Sequence, residues 1–340
     1  MQAIPELRGN QVRILDSRAA VCVQLYLISI VDIHEKEGTA LLRESEYLLK
    51  TAFIYNTSLG NEGNMMSFSP LSQSEILTPH KTAAYNREHV VLPNHIRLIS
   101  TGAFSKKHKI RTIGLPSGLT AIHAKAFQHC QSLEEVCLPH RLEILGKEAF
   151  AQCPHLKKVY MSNRLTEIQR ETFREDRELR QVLFTPKSQL RQISREAFIE
   201  CTSLEKMFLP PRVHTIEERA FYRCKNLSHV RFPKGLTYIG NEAFYFCAMD
   251  TLELPESLRV IGDSAFFKCN QLTYVRLPES VEHIGKWVFH GCNRLQILEI
   301  RHEPRHIGDW IINKAAHIRC RKGSVADEYC QQNGFTVEYI

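Results

Sequence analysis

The chain of 340 residues lacks several features that mark common functional classes. It has no run of the roughly 18 apolar residues that a membrane-spanning helix needs. It has no Cys-x-x-Cys pair, which argues against the common structural zinc sites. It also has no nucleophile elbow, phosphate loop, paired-carboxylate motif or dinucleotide fingerprint. The sequence therefore predicts no catalytic residue, no metal site and no cofactor.

Dense positive charge and an export signal are also missing. Residues 1–88 hold 8 Lys and Arg against 10 Asp and Glu, which leaves 36 against 27 for residues 89–340. Because this excess forms no dense basic run, we expect no nucleic-acid partner. The apolar stretch 19–31 follows Glu6 and Asp16 and has no small-residue cleavage site after it. We therefore expect a cytoplasmic protein, with secretion or display at the cell surface by a non-classical route as the alternative.

Phenylalanine, in contrast, recurs with a nearly constant period. Successive members of the series are separated by 23, 23, 23, 25, 23, 23, 22 and 23 residues. A fixed period of this size indicates a solenoid, in which each unit buries its apolar face against its neighbours. The series consists of Phe104, Phe127, Phe150, Phe173, Phe198, Phe221, Phe244, Phe266 and Phe289.

Each position in the repeated unit has a structural role, as residues 117–139 (SGLTAIHAKAFQHCQSLEEVCLP) illustrate. An L-x-x-I pair comes first, and the small Ala126 before Phe127 lets adjacent coils approach each other. The L-x-x-L-x-L pattern that follows is the strand of a leucine-rich repeat. Pro139 then ends the strand, because proline has no N–H to donate to a β ladder. We therefore predict a stack of parallel strands.

Seven cysteines share one position in the unit, three residues after the phenylalanine. Side chains stacked on consecutive strands lie about 4.8 Å apart, whereas a disulfide prefers Cβ atoms near 3.8 Å. This position therefore predicts a ladder of buried thiols that act as small apolar side chains. Outside the ladder, Cys320 and Cys330 flank the last predicted helix and would pair only in an exported protein. The ladder consists of Cys130, Cys153, Cys201, Cys224, Cys247, Cys269 and Cys292.

The unit L-x-x-I-x-x-x-A-F-x-x-C-x-x-L-x-x-V-x-L-P resembles the BspA-type leucine-rich repeats of bacterial and some protist proteins, over residues 90–340. This resemblance implies a curved protein-interaction module, of a kind often found in adhesins at cell surfaces. The fold class that we predict is an α/β solenoid, a leucine-rich-repeat arc with a parallel β-sheet and about nine repeats.

Four segments follow from these patterns. Residues 1–56 are not repetitive and are predicted to form a small N-terminal α/β cap or accessory segment. Residues 57–88 are rich in Ser, Asn, Gly and Pro and are predicted to be a flexible linker. Residues 89–316 are the repeats, and residues 317–340 are predicted to form a strand-helix-strand C-terminal cap.

The candidate binding residues are the strand positions that the repeat leaves variable. The residues on either side of the second Leu in L-x-x-L-x-L are expected to project to the concave side, opposite the core. Tyr160, Leu183 and Phe208 share one such position on three consecutive strands, which predicts an apolar streak about 10 Å long with a basic margin. The predicted partner-binding residues are Glu135, Lys158, Tyr160, Leu183, Lys206, Phe208, His229, Arg231, Tyr274 and Arg276.

Three functional hypotheses remain open from the sequence. The first is a non-enzymatic protein-interaction module whose concave β face recognises an acidic or partly apolar segment of a protein partner. The second is an exported cell-surface adhesin that binds host matrix or glycan. The third treats the repeat region as a targeting arm for an unrecognised activity in residues 1–56.

Overall fold

The structure is a computed structural model that describes residues 71–340, and these residues form a parallel β-solenoid of about 11 turns. The predicted solenoid with parallel strands is confirmed. There are more turns than phenylalanines in the series. In the last coil, for example, Ile312 takes the phenylalanine position and is fully buried. The elements predicted within residues 1–56 and the first part of the predicted linker lie outside the described residues.

Each coil contributes short strands to two parallel ladders, one of two-residue strands and one of three- or four-residue strands. In chain order the strands are β1 (Ile76–Leu77), β2 (His89–Val91), β3 (Leu98–Ile99), β4 (Thr112–Gly114), β5 (Ala121–Ile122), β6 (Glu135–Cys137), β7 (Ile144–Leu145), β8 (Lys158–Tyr160), β9 (Glu167–Ile168), β10 (Gln181–Leu183), β11 (Gln192–Ile193), β12 (Lys206–Phe208), β13 (Thr215–Ile216), β14 (His229–Arg231), β15 (Tyr238–Ile239), β16 (Val260–Ile261), β17 (Tyr274–Arg276), β18 (His283–Ile284), β19 (Ile297–Glu299), β20 (His306–Ile307), β21 (His317–Cys320) and β22 (Thr336–Tyr339).

The long strands, of three or four residues, form a ladder in three parts, and we call their outward side the long-strand face. The hydrogen-bonded orders are β2-β4-β6-β8-β10, then β12-β14, then β17-β19-β21-β22. The two-residue strands form one ladder from β1 to β7 and another from β9 to β20. Most paired residues are 23 apart in the chain, as for Glu135 opposite Lys158. The repeat period therefore fixes the register directly.

The long-strand ladder is interrupted where the period changes. Two extra residues lie between Phe184 and Leu190, and β10 and β12 on either side of that coil are not hydrogen-bonded to each other. One residue is missing after Cys247, and residues 251–253 form no strand. The ladder from β9 to β20 continues past both places. The irregular coils therefore disturb one side of the solenoid and leave the other intact.

A single column of phenylalanine rings forms the centre of the core. All nine rings are fully buried, and neighbouring centroids lie 5.0 to 5.8 Å apart with interplanar angles of 2 to 9°. Burying a phenylalanine contributes about 1.5 to 3 kcal/mol relative to leaving it exposed. Because each ring packs between rings of the adjacent coils, this stabilisation depends on neighbouring repeats being folded.

The turns that carry the phenylalanines contain left-handed residues, and at most of these positions the residue is not glycine. Glu196 and Glu200, two positions before and after Phe198, both have φ near +58°. Their amides donate to carbonyls of the next coil, Glu196 to Glu218 at 3.0 Å and Glu200 to Tyr222 at 2.8 Å. These bonds offset the strain of positive φ in a residue with a Cβ. The same arrangement recurs at most turns of the described solenoid.

The cysteine ladder lies beside the phenylalanine column, and the prediction of stacked, buried thiols is confirmed. Each of the seven thiols also donates to the backbone oxygen of a phenylalanine in the preceding coil, at 3.0 to 3.3 Å. Burial raises the pKa of the Cys292 thiol to about 12. By their hydrogen bonds, the seven thiols are structural donors within the core. Cys320 and Cys330, which the sequence suggests as a pair in an exported protein, are buried free thiols.

The solenoid begins before the repeats that the sequence marks. Residues 71–88 belong to the segment predicted as a flexible linker, yet here they contain β1 and two short 3-10 turns, Gln73–Glu75 and Ala83–Tyr85. Strand β1 pairs with β3, and Leu77 is buried opposite Ile99. The structure differs from the prediction in this part because a two-residue apolar strand is too short to give a periodic signal.

The last described residues form a strand, a helix and a strand. Helix α1 (Val325–Asn333) follows Ser324, whose side chain accepts a hydrogen bond from the Asp327 amide at 3.2 Å. The helix ends at Gly334, which has the left-handed φ of +65° that favours glycine at this position. Strand β21 precedes the helix in the chain and β22 follows it, and the two strands pair in parallel. Within the described residues, no helix has both the length and the apolar character needed to cross a membrane.

Candidate functional site

The candidate site is the long-strand face, where most strands bury their middle residue and direct the two flanking residues outward. In β6, for example, Val136 is buried whereas Glu135 and Cys137 point away from the core. All ten partner-binding residues predicted from the sequence lie at the first or third position of such a strand. They therefore belong to side-chain columns on the outward side, but they differ in their surroundings.

The N-terminal part of the face carries charges of both signs that pair with one another. Glu134 lies 3.0 Å from Arg111 and 3.8 Å from Lys157, and Arg111 also contacts Glu88 at 3.4 Å. The neighbouring Lys158 ammonium lies 4.8 Å from the centre of the Tyr160 ring. A shallow polar hollow in this part is lined by Thr112, Glu134, Glu135, Lys157, Lys158, Arg180 and Gln181.

The central part consists of β12 and β14, and its outward residues form what we call the central cluster: Lys206, Phe208, His229 and Arg231. Lys206 stands opposite His229, and Phe208 stands opposite Arg231. Phe208 is 58% exposed, the largest exposure of any phenylalanine in the described chain. Neither Lys206 nor Arg231 forms an ion pair with a carboxylate of the described residues. The cluster therefore presents an exposed ring beside two basic side chains that form no ion pair with a carboxylate of the described residues.

The apolar streak predicted from Tyr160, Leu183 and Phe208 is divided by the first interruption of the ladder. Tyr160 and Leu183 are in direct register and are half-buried. Phe208 lies on β12, which is not hydrogen-bonded to β10. The two-residue insertion in the intervening coil separates the strands, so the three side chains do not share one continuous ladder.

The C-terminal part of the face is organised around a buried carboxylate that the sequence prediction did not include. Glu299 is only 1% exposed, and it accepts a hydrogen bond from the Tyr274 hydroxyl at 2.9 Å. It also forms ion pairs with Arg301, with Arg319 at 3.3 Å and with Arg276 at 3.8 Å. Burial by itself raises the pKa of Glu299, but the hydrogen bonds from Arg301, Tyr274 and Arg319 outweigh it and lower the pKa below its usual value.

Tyr274 and Arg276 therefore have a carboxylate partner within the fold, unlike Lys206 and Arg231 of the central cluster. The sequence does contain a signal for this arrangement, because the acidic residue of β19 stands in register between Arg276 and Arg319. When charges alternate along a column of side chains on parallel strands, opposite charges lie next to each other at the strand separation of about 4.8 Å. What the sequence does not show is that Glu299 is buried.

The long-strand face offers aromatic edges, ammonium and guanidinium groups, and carboxylates that are paired with basic side chains. In the part of the chain that the structure describes, no three His, Cys, Asp or Glu side chains come together in a way that would hold a metal ion.

Comparison with known proteins agrees with this architecture. Residues 82–204 and 191–319 match the family model described as "BspA type Leucine rich repeat region", with 6 copies. No curated protein matches the chain. A leucine-rich repeat protein from Bacteroides ovatus is similar in structure, with a TM-score of 0.57 and 22% identity, over 69% of this chain and 63% of that one. The chain therefore spans less than two thirds of that protein.

Two further solved structures are more distant. A leucine-rich repeat protein from Eubacterium ventriosum matches with a TM-score of 0.46 and 23% identity, over 49% of this chain and 44% of that one. The pneumococcal vaccine antigen PcpA matches with a TM-score of 0.36 and 17% identity, over 76% of this chain and 90% of that one.

Proposed function

Because the chain belongs to the BspA-type leucine-rich repeat family, we propose that it is a non-enzymatic module that binds a protein partner on its long-strand face. The fold of this family is a repeat fold for protein interaction. The partner that fits best is an acidic, partly apolar segment. Its carboxylates pair with the basic side chains of the face, and its apolar side chains cover the exposed ring.

The observation that carries the proposal is the central cluster. Phe208 leaves most of its ring in solvent, although the repeat provides a core large enough to bury nine other phenylalanines. Exposed aromatic rings beside Arg are typical of the residues that dominate protein interfaces. Lys206 and Arg231 lack a carboxylate within the described residues, so an acidic partner gains charge pairing without displacing an existing ion pair.

The direction of the bound segment follows from the spacing of the basic residues. Lys206 and His229 occupy the same column on adjacent strands, as do Phe208 and Arg231. Each column runs across the strands, with its side chains about 4.8 Å apart. A segment that lies perpendicular to the strands therefore runs along both columns at once. Such a segment extends toward Lys158 in one direction and toward Arg276 in the other.

A triple substitution of Tyr160, Phe208 and Arg231 to alanine tests the proposal. We expect the full chain with these changes to lose binding to a captured partner by about tenfold or more, because hot-spot rings and guanidinium groups are removed together. The measurement is quantitative mass spectrometry of proteins captured on the immobilised chain, followed by titration of the recombinant partner.

A matched control replaces Arg141, Ile144 and Tyr238 with alanine. These residues are exposed and lie beside or on the two-residue strands, on the other ladder. The control is expected to retain binding within about twofold. Equal retention by both variants, with the circular dichroism of the fold unchanged, would mean that the partner does not use the long-strand face.

Membership of the family favours a second proposal, in which the chain acts at a cell surface as an adhesin for matrix or glycan. Labelling of intact cells with a membrane-impermeant reagent separates this role from a cytoplasmic one, since only a surface protein is labelled.

The activity proposed for residues 1–56 concerns residues outside the described part of the chain. Deletion of that segment tests this proposal, which expects the phenotype to be lost while partner binding is retained.

A further inference from the structure

The turns that carry the core phenylalanines change in character along the solenoid. The position directly after the phenylalanine holds Gln128, Arg174 or Ile199 in earlier coils. In later coils it holds a column of rings that we call the aromatic ladder: Tyr222, Tyr245, Phe267 and His290. Successive centroids are 4.7, 5.1 and 5.8 Å apart, and the first three rings are stacked. The ladder is half-buried, so its ring edges remain accessible.

More exposed rings lie next to the ladder, in turns of the same kind. Phe246, Trp287 and Trp310 are 38%, 42% and 43% exposed. All three have positive φ, of 58, 56 and 51°. Bulky residues rarely adopt this backbone region, and an unusual conformation of this kind is a reason to look for a function. The turn itself does not need rings, because Glu196 and Glu200 occupy the equivalent positions in an earlier coil.

Four of these rings are accompanied by an ammonium group. Lys286 lies 5.0 Å from the Trp287 ring centre and also pairs with Asp263 at 3.8 Å. Lys225 lies 5.9 Å from the Phe246 ring centre, Lys268 lies 5.6 Å from Phe267, and Lys314 lies 5.3 Å from Trp310. These three lysines form no ion pair within residues 71–340. Arginines of these turns do have carboxylate partners, as Arg219 has in Glu242 at 2.6 Å. The positive charge of this face that has no carboxylate partner in residues 71–340 therefore comes from Lys225, Lys268 and Lys314.

We propose that this aromatic turn face docks an acidic, amphipathic α-helix of a protein partner. The occupant is chosen by charge and by spacing. An α-helix advances about 5.4 Å per turn, close to the ring separations of the ladder, so one apolar side chain per turn can pack on the exposed edges of successive rings. Acidic side chains on the flanks of the helix then reach Lys225, Lys268 and Lys314.

Two other anionic occupants fit less well. Single-stranded nucleic acid binds through bases stacked on open ring faces, but the ladder rings cover one another's faces. An anionic membrane surface offers charge without the helical period that matches the ring separations. The proposed docking site is separate from the long-strand face and holds whether or not that face binds a partner.

Tryptophan fluorescence reports on this face directly. The chain contains 2 tryptophans, Trp287 and Trp310, and both lie in these turns. The probe is a synthetic helical peptide of about 18 residues, or five turns, with leucine on one face and glutamate on its flanks. We expect it to shift the emission and to bind the full chain about tenfold more tightly than a scrambled peptide of the same composition. The same peptide with lysine in place of glutamate is expected not to bind.

Charge reversal of the lysines is the decisive variant. Lys225→Glu, Lys268→Glu and Lys314→Glu together are expected to weaken binding of the acidic peptide by about tenfold or more. The matched control, Lys109→Glu, Lys187→Glu and Lys234→Glu, makes the same change in net charge at exposed lysines elsewhere and is expected to keep affinity within about twofold. Equal weakening in both variants would show only a long-range charge effect and would overturn the proposal.

The rings are tested separately with Phe246→Ser, an exposed position where loss of folding is not expected. The proposal requires weaker peptide binding in this variant, with unchanged circular dichroism. Equal binding of the acidic, lysine-bearing and scrambled peptides would refute it. An emission shift with phosphatidylserine vesicles and none with the acidic peptide would also refute it and would identify a lipid surface as the occupant.

Discussion

Asp176 is the residue at which the thiol ladder is broken, since it takes the place that cysteine holds in seven other coils. It is fully buried, and its Oδ1 accepts a hydrogen bond from the Cys153 amide at 2.8 Å. Its Oδ2 is buried without a hydrogen-bond partner. In the seven coils that have cysteine at this position, the side chain donates to the phenylalanine carbonyl of the preceding coil, which for Asp176 is that of Phe150. A protonated carboxyl restores that donor, so we expect Asp176 to be neutral in the folded protein.

The pKa of Asp176 is raised well above its usual value, first by burial and then by the nearby Cys130 and Glu175. Because the unfolded chain ionises more readily, stability is greatest below the unfolded pKa of about 3.9 and falls as pH rises from there toward the folded pKa. The groups facing the carboxyl are Cys130, the Cys153 amide, Cys201 and Glu175.

Asp176→Asn should remove this pH dependence, because the amide supplies both the donor and the acceptor without a charge. We expect the variant to match the natural protein near about pH 4 and to exceed its stability at higher pH by up to about 1.4 kcal/mol per pH unit. Urea unfolding followed by circular dichroism across this range is the measurement. Asp250→Asn, at an exposed site, is the control, and parallel pH profiles for Asp176→Asn and the natural protein would contradict a neutral Asp176.

At the scale of the coil, stability depends on which phenylalanine is removed. Phe198→Ala empties a fully buried place in the ring column and should cost about 3 to 5 kcal/mol. Phe208→Ala removes a ring that is 58% exposed and should change stability by about 0.5 kcal/mol or less. Urea unfolding measures both, and similar losses for the two variants would contradict the division between core and contact positions.

At the scale of the whole described solenoid, the interruptions of the long-strand ladder predict where local opening is easiest. Residues 251–253 form no strand, whereas the equivalent residues of β14 and β17 do. Backbone amides outside a ladder are protected less well from solvent. We expect hydrogen exchange in residues 251–253 to be faster than in 229–231 and 274–276, as measured by mass spectrometry of peptides. Uniform exchange along all three segments would contradict this prediction.

The repeat sequence by itself determined the solenoid, the buried columns and the register. Phe198 and Cys201 recur at fixed positions in the unit, and a period of 23 residues places like residues on adjacent coils whatever the rest of the structure does. This is why the ring column and the thiol ladder were predictable. The outward positions of the long strands were predictable for the same reason, since side chains alternate along a strand.

Only the tertiary structure decided how those outward positions differ. Phe208 is exposed, the Leu183 side chain is half-buried, and Glu299 is enclosed by arginines, although all three are variable strand positions in the sequence. The 25-residue spacing marks the irregular coil after Leu183, but it does not show which of the two ladders is interrupted there. Most left-handed turn positions hold residues other than glycine and so give no sequence signal. Exposure, ion pairing and backbone strain depend on the coils above and below a residue, and a pattern read within one repeat carries no information about them.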